Sequence, residues 1–184
     1  MKVKYFDLKN KKVFITGGGS GIGASIVEHF CEQECEVYFV DINKKDSNKL
    51  IKDLKKKGLK TPNFIECNLI NIKKLEGTIK NIIKSKGPID ILINNAANDD
   101  RHSTDQVDEK YWNNRMDVNL KHFFFTIKAV LKGMIKNKGG AIVNLSSVSW
   151  MLGEGDKVAY ETAKSAVIAV SYTHLRAHET EENL

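Results

Sequence analysis

The stretch that most limits what this chain can fold into is Lys12-Val-Phe-Ile-Thr16, followed at once by Gly17-Gly-Gly-Ser-Gly-Ile-Gly23 and then by an apolar-periodic segment, Ala24 to Glu34. The first part reads as a short buried strand and the last as an amphipathic helix. Glycines between them let the backbone turn tightly, and the free amides and positive dipole of the helix start make a seat for an anion. A glycine-rich run alone is only a turn. With a strand before it and a helix after it, the run has the setting in which such loops receive the pyrophosphate of a dinucleotide.

A second strand, Glu36 to Val40, ends in Asp41, eighteen residues beyond Gly23. A carboxylate there can accept both hydroxyls of an adenosine ribose and repels a 2′-phosphate. No Arg or Lys lies within the glycine loop or directly after Asp41. The expected cofactor is therefore NAD, with NADP disfavoured.

The alternation continues with a helix over 47–57, a strand over 63–67, a helix over 72–86 and a strand over 89–93. A polar loop over 98–108 follows, then a long helical region to 137, a strand over 141–145 and a helix carrying Tyr160. Strands separated by helix-length segments predict an α/β protein of the Rossmann type, a doubly wound parallel sheet covered on both faces. At 184 residues and 41% hydrophobic content the chain has enough apolar material for one such domain. No apolar run approaches the ~20 residues of a membrane span, and the first residues lack a signal-peptide core, so a cytoplasmic protein with no membrane partner is expected.

Cys31, Cys35 and Cys67 are odd in number and show no metal-type spacing, which predicts idle thiols and no metal site. Formal charge is +6, but the lysines between Lys44 and Lys60 are interleaved with Leu50, Ile51, Leu54 and Leu59. That is a solvated helix face. Without interleaved aromatic residues for stacking, no nucleic-acid partner is expected.

Candidate chemistry lies near the C-terminal end. Tyr160 and Lys164 are four apart, hence on one helix face, where an ammonium beside the phenol favours the phenolate that a general base requires. Ser147 follows the apolar run Ala141 to Leu145, and strand ends are where open α/β sheets place their sites. Its hydroxyl can hold a substrate oxygen for Tyr160 to protonate or deprotonate. Taken alone, Tyr-x-x-x-Lys is an ordinary surface pair. The upstream glycine loop gives it weight.

With these pieces in place the chain resembles the short-chain dehydrogenase/reductase family from its start to about Val170. The resemblance rests on Thr16-Gly17-x-x-x-Gly21-x-Gly23, on Asn94-Asn95-Ala96-Ala97, on Asn119, on Ser147, and on Tyr160-x-x-x-Lys164. It implies Tyr160 as acid/base, Lys164 as the holder of the nicotinamide ribose, Ser147 as the group that orients the substrate oxygen, and Asn119 as support for a water relay. It implies cofactor contacts from Gly17, Ser20, Gly21, Ile22 and Gly23 at the pyrophosphate and from Asp41 at the ribose. Asn68 and Leu69 fall at the adenine, and Asn95, Ala96, Tyr160 and Lys164 on the nicotinamide side. Asn68 stands where the family has Asp, and Ala97 where it has Gly.

A narrower resemblance, to the NAD-dependent aldose 1-dehydrogenases of that family, rests on Asn98-Asp-Asp-Arg-His102, Tyr111-Trp112, Val118 to His122, Ser149-Trp150 and Leu152-Gly153. It implies oxidation of C1 of an aldose such as D-xylose to the lactone, with Asn98, Asp99, Ser149 and Trp150 forming the sugar pocket. For Asp99 to His102 a loop knitted by ion pairs is an equal expectation. The alternatives are a 3-oxoacyl thioester reductase or other secondary-alcohol dehydrogenase and, from a different class, a non-catalytic nucleotide-binding scaffold. The family also implies a homodimer or homotetramer.

After Val170 the apolar period is lost, and the chain from about Val170 to Thr180 reads, codon for codon, like a translated sequencing adapter, followed by a short index and a further adapter segment beginning within Asn183. The expectation is an incomplete dinucleotide-binding domain over 1–170 and a non-native tail over 171–184. The C-terminal strands of the family's sheet would then be missing, and an unpaired sheet edge would leave the 184-residue polypeptide insoluble or inactive.

Overall fold

The structure, a computed structural model, describes residues 3–176. A 3-10 turn at Phe6–Leu8 leads into β1 (Lys12–Thr16), α1 (Gly21–Glu32), β2 (Glu36–Asp41), α2 (Lys44–Lys56), β3 (Asn63–Glu66), α3 (Ile72–Lys86) and β4 (Ile91–Asn94). After a 3-10 turn at Thr104–Gln106 come α4 (Glu109–Met116), a π segment (Asp117–Lys121), α5 (His122–Lys136), β5 (Ala141–Asn144), α6 (Ser149–Leu152) and α7 (Val158–Arg176). The strands form one sheet in the order β3-β2-β1-β4-β5, and every pairing is parallel.

Side-chain alternation in the strands divides the core into two layers. Val13 and Ile15 of β1, with Val37 and Phe39 of β2, pack beneath Val27 and Cys31 of α1 and Leu54 of α2. Phe14, Tyr38, Val40 and Leu92 point the other way, onto Leu75, Ile79 and Ile82 of α3 and Ile127, Val130 and Met134 of α5. Burial on both faces is why the strands read as continuous apolar runs. Because β3 lies outside β2 while β4 lies on the far side of β1, the chain reverses direction between β1 and β4. The carboxyl ends of those two strands open the crevice where sheets of this kind bind ligands.

Helix starts differ from the sequence reading because caps decide them. Asn43 accepts from the Asp46 amide and opens α2 at Lys44, not at 47. Ser20 is extended, so α1 begins at Gly21, inside the glycine loop, and ends at Glu32 before Glu34 turns to φ +64°. Burial pushes the thiols of Cys31 and Cys35 up to about 12 and about 11, so both stay protonated, consistent with idle core cysteines.

A hydrogen-bond chain crosses the carboxyl ends of β4 and β5. Thr126 of α5 donates to buried Asn94 at 2.7 Å, Asn94 donates to Asn144 at 2.9 Å, and Asn144 donates to Ser171 of α7 at 2.9 Å. Thr126→Val keeps the shape but strands the Asn94 oxygen in a dry layer. The expected cost is about 1–3 kcal/mol in urea unfolding; a variant as stable as its parent would show the network to be idle.

Ser171 also donates to the Val167 carbonyl at 2.8 Å, and α7 runs on through Arg176, past the point where the periodicity of the sequence fails. The remainder of the expected non-native tail lies outside the described residues. Among the described residues β5 pairs only with β4, and its Val143 is 47% exposed. An apolar cleft of about 460 Å³ opens beside it, lined by Ile127, Leu131, Met134, Ile142 and Ser171. This cleft flanks the sheet edge and contains none of Ser147, Tyr160 and Lys164. Among the described residues no helix is long and apolar enough to cross a membrane.

Candidate active site

The glycine loop leaves β1 and folds back under the end of β4. A β-carbon on Gly23 would lie 1.8 Å from the Gly17 carbonyl oxygen, and one on Gly17 (φ +68°) would lie 2.8 Å from the Ala96 α-carbon. Ser20, Gly21 and Ile22 at the start of α1 are exposed, and Ser20 makes no side-chain cap. This open helix start is a cradle that only glycines allow, and it fits a pyrophosphate.

Asp41 closes one side of the cradle. Its carboxylate accepts from the amides of Gly19 and Asn43, both at 2.8 Å, so it anchors the loop. Each carboxylate oxygen keeps acceptor capacity beyond these bonds. Asn68 is exposed and its side-chain oxygen accepts from the Ile70 amide at 3.1 Å, while Leu69 sinks into the core. Asn95 turns inward. Its amide group donates to the carbonyls of Thr16 and Gly17 at 3.1 and 3.0 Å, and Thr16 Oγ1 in turn accepts from the amides of Asn95 and Ala96. The side chain of Asn95 therefore pins the glycine loop to β4.

Ser147, Tyr160 and Lys164 stand on the far side of the switch point, at the end of β5 and on α7. Ser147 Oγ accepts from the Ser149 amide at 3.2 Å and lies 2.9 Å from Ser149 Oγ. Ser149 is only 5% exposed, so it holds the Ser147 hydroxyl instead of lining an open pocket as the sequence reading had it. Lys164 is 2% exposed. Its ammonium donates to the Leu145 carbonyl at 2.7 Å and sits 5.8 Å from the centre of the Tyr160 ring. Burial lowers the Lys164 pKa from 10.5 to about 8.

Asn119 falls in the π segment, a break in the helical ladder of the sort found at functional sites. Both ends of its buried amide are spent on the Asn98 backbone: Asn119 Oδ1 accepts at 2.7 Å and Nδ2 donates at 3.0 Å. Asn98 accepts from the Asp100 amide, and Asp99 and Arg101 are exposed. His102 packs edge-on against Tyr111, whose hydroxyl lies 2.7 Å from His102 Nδ1 and 3.2 Å from Asp100. Side-chain hydrogen bonds, more than ion pairs, knit this loop. Trp150 is half-buried, with its indole N–H covered.

Sequence reasoning missed His122 and Phe123. His122 is wholly buried, and neither ring nitrogen reaches a partner in hydrogen-bonding geometry. Burial, and then the Lys164 charge, lower its pKa from 6.5 to about 3, against a weaker pull from the Val118 carbonyl. The signal was present: positions 119, 122, 123, 126, 127, 130 and 134 are the buried stripe of this helical region, and a histidine on an apolar stripe is out of place.

An open parallel sheet with a glycine-lined turn at its switch point, and with Ser147, Tyr160 and Lys164 near the carboxyl end of β5, is a Rossmann-type fold. The chain belongs to the short chain dehydrogenase family, whose model matches residues 11–183. It is 45% identical over 163 residues to D-xylose 1-dehydrogenase of Caulobacter vibrioides, covering 89% of this chain and 64% of that protein. It is 38% identical over 165 residues to a Rhizobium meliloti protein described as "Probable galactose dehydrogenase GalD", covering 90% and 64%. Among solved structures, Thermoplasma acidophilum aldohexose dehydrogenase superposes with a TM-score of 0.82 at 28% identity, over 95% of this chain and 64% of that one. The chain thus spans about 64% of the length of the curated relatives it matches.

Proposed function

We propose that the whole protein oxidises the anomeric carbon of an aldopentose or related aldose with NAD, yielding the lactone. The observation that carries this reading is the buried Lys164 ammonium lying against Tyr160, with Ser147 at the adjoining strand end. A bound nicotinamide supplies the hydride acceptor. Tyr160 takes the proton of the C1 hydroxyl as general base. Ser147 fits the same step: with Ser149 donating to its oxygen, its own proton is free to point at the substrate oxygen. Lys164 lies beside the Tyr160 ring and holds the nicotinamide ribose, and Asn119 shapes the π segment beside them. Asn98, Asp99 and Trp150 form the rim that meets the sugar.

Asp41 supports NAD over NADP, because a 2′-phosphate would meet its carboxylate. The likeness to sugar dehydrogenases supports an aldose over a 3-oxoacyl thioester.

The test follows NADH formation at 340 nm with D-xylose, L-arabinose, D-galactose and D-glucose. It uses the 184-residue chain and the longest reading frame that contains its codons. Tyr160→Phe is expected to lower kcat/KM by roughly 10³-fold or more, and Asp41→Ala to erase at least a tenfold preference for NAD. Turnover with 3-oxoacyl thioesters alone would replace the sugar reading, and NAD binding without turnover of either class would favour a scaffold.

A further inference from the structure

The Lys164 ammonium has three N–H donors, and one is used on the Leu145 carbonyl. Among the described residues it has no carboxylate partner within salt-bridge distance, although it is 2% exposed. A buried cation in that position needs another source of stabilisation. The Phe123 ring supplies one: Lys164 Nζ lies 5.2 Å from its centroid, inside the ~6 Å range over which a ring face attracts a cation. Phe123 is itself wholly buried, at the first turn of α5. Beside it lies the His122 ring, 4.4 Å away and tilted by 50°. The imidazole makes no hydrogen bond of normal geometry, and burial keeps it uncharged, so it adds no positive charge beside the ammonium.

We propose that Phe123 is a positioning residue: the face of its ring holds the charged Lys164 in place beside Tyr160. Its consequence for catalysis rests on the sugar-dehydrogenase reading, but the contact itself does not. Tyr160 is a further titratable neighbour, with its ring centre 5.8 Å from the ammonium. Lys164 is thus in reach of two aromatic rings and one carbonyl.

The experiment reads the ionisation of Lys164 in the 184-residue chain, without dinucleotide or sugar. The 13Cε chemical shift of lysine-labelled protein, with the Lys164 signal assigned by Lys164→Arg and followed across pH 6 to 11, gives its titration curve. Phenylalanines with one, two and three ring fluorines are placed at position 123; they keep the shape of the ring while draining its negative face. Phe123→Leu removes the face altogether. The expected result is a stepwise fall in the Lys164 titration midpoint, reaching about one unit, a tenfold weaker hold on the proton, for the trifluoro ring. A midpoint indifferent to fluorination overturns the proposal, whether or not Phe123→Leu folds. Loss of aldose turnover in the test of function, with the fluorine trend intact, would refute the substrate reading and leave this one standing.

Discussion

Gly23→Ala is expected to destabilise the chain by roughly 3 kcal/mol or more, at the upper end of what overpacking costs, and to abolish NAD(P) binding. The added methyl would lie 1.8 Å from the Gly17 carbonyl oxygen and 2.6 Å from the Asn95 amide nitrogen. Neither can yield cheaply. The carbonyl is backbone, and the Asn95 amide is the pin that ties the loop to β4. Relief requires α1 to move away from the loop, which dismantles the cradle. The fitting control is Gly21→Ala, two residues earlier, where the backbone has φ +53° and nothing lies within 4 Å of the new methyl. That change costs only the left-handed conformation, roughly 1 kcal/mol. Urea unfolding, with and without NAD, separates the two. Equal and small losses in both variants would show that the close approach of α1 to the loop does not exist in solution.

The second large effect is acid lability set by His122. Its ordinary pKa is 6.5 and its folded value about 3, so between these values the unfolded chain binds the proton and the folded chain refuses it. Stability attributable to this group is complete above about pH 6.5 and falls as the pH drops, at about 1.4 kcal/mol per unit once well below that value. Between pH 6 and pH 4 the loss amounts to roughly 2–3 kcal/mol. His122→Phe removes the titration and keeps an aromatic ring against Phe123. Carboxylates add to acid unfolding in the same direction: the Lys4 and Lys9 ammonium groups beside Glu34 hold its pKa down to about 2. The quantity to read is therefore the difference between parent and variant in urea melts at each pH. Parallel loss of stability in both chains would mean that His122 is solvated.

Much of the architecture was legible before any coordinates. Lys12-Val-Phe-Ile-Thr16 could be assigned as an inner strand because both faces of β1 are covered, leaving it no polar position between Val13 and Ile15. The loop after it had to be glycine-rich because α1 approaches Gly17 to within less than a side chain. Helix starts were less legible: α2 opens where Asn43 happens to cap it, a choice of a single side chain that apolar periodicity does not register.

The site divides the same way. Residue types and local spacing were enough to single out Ser147, Tyr160 and Lys164, since a four-residue step along one helix places two side chains together whatever surrounds them. The partners of those groups were not legible. Local spacing gave no sign that Ser149 holds Ser147 or that Asn95 pins the glycine loop. His122 and Phe123 drew no notice as site residues, although they lie against the buried ammonium.

By itself, then, the sequence determined the layers of this protein, its glycine-lined turn and the pairing of Tyr160 with Lys164, because each depends on neighbours within a few residues of one another. Only the tertiary structure decided which buried groups touch that pair. Those contacts join α5, β5 and α7, whose meeting depends on strand order across the sheet, and burial there turns an ordinary lysine into one that titrates near 8 and an ordinary histidine into one that stays neutral.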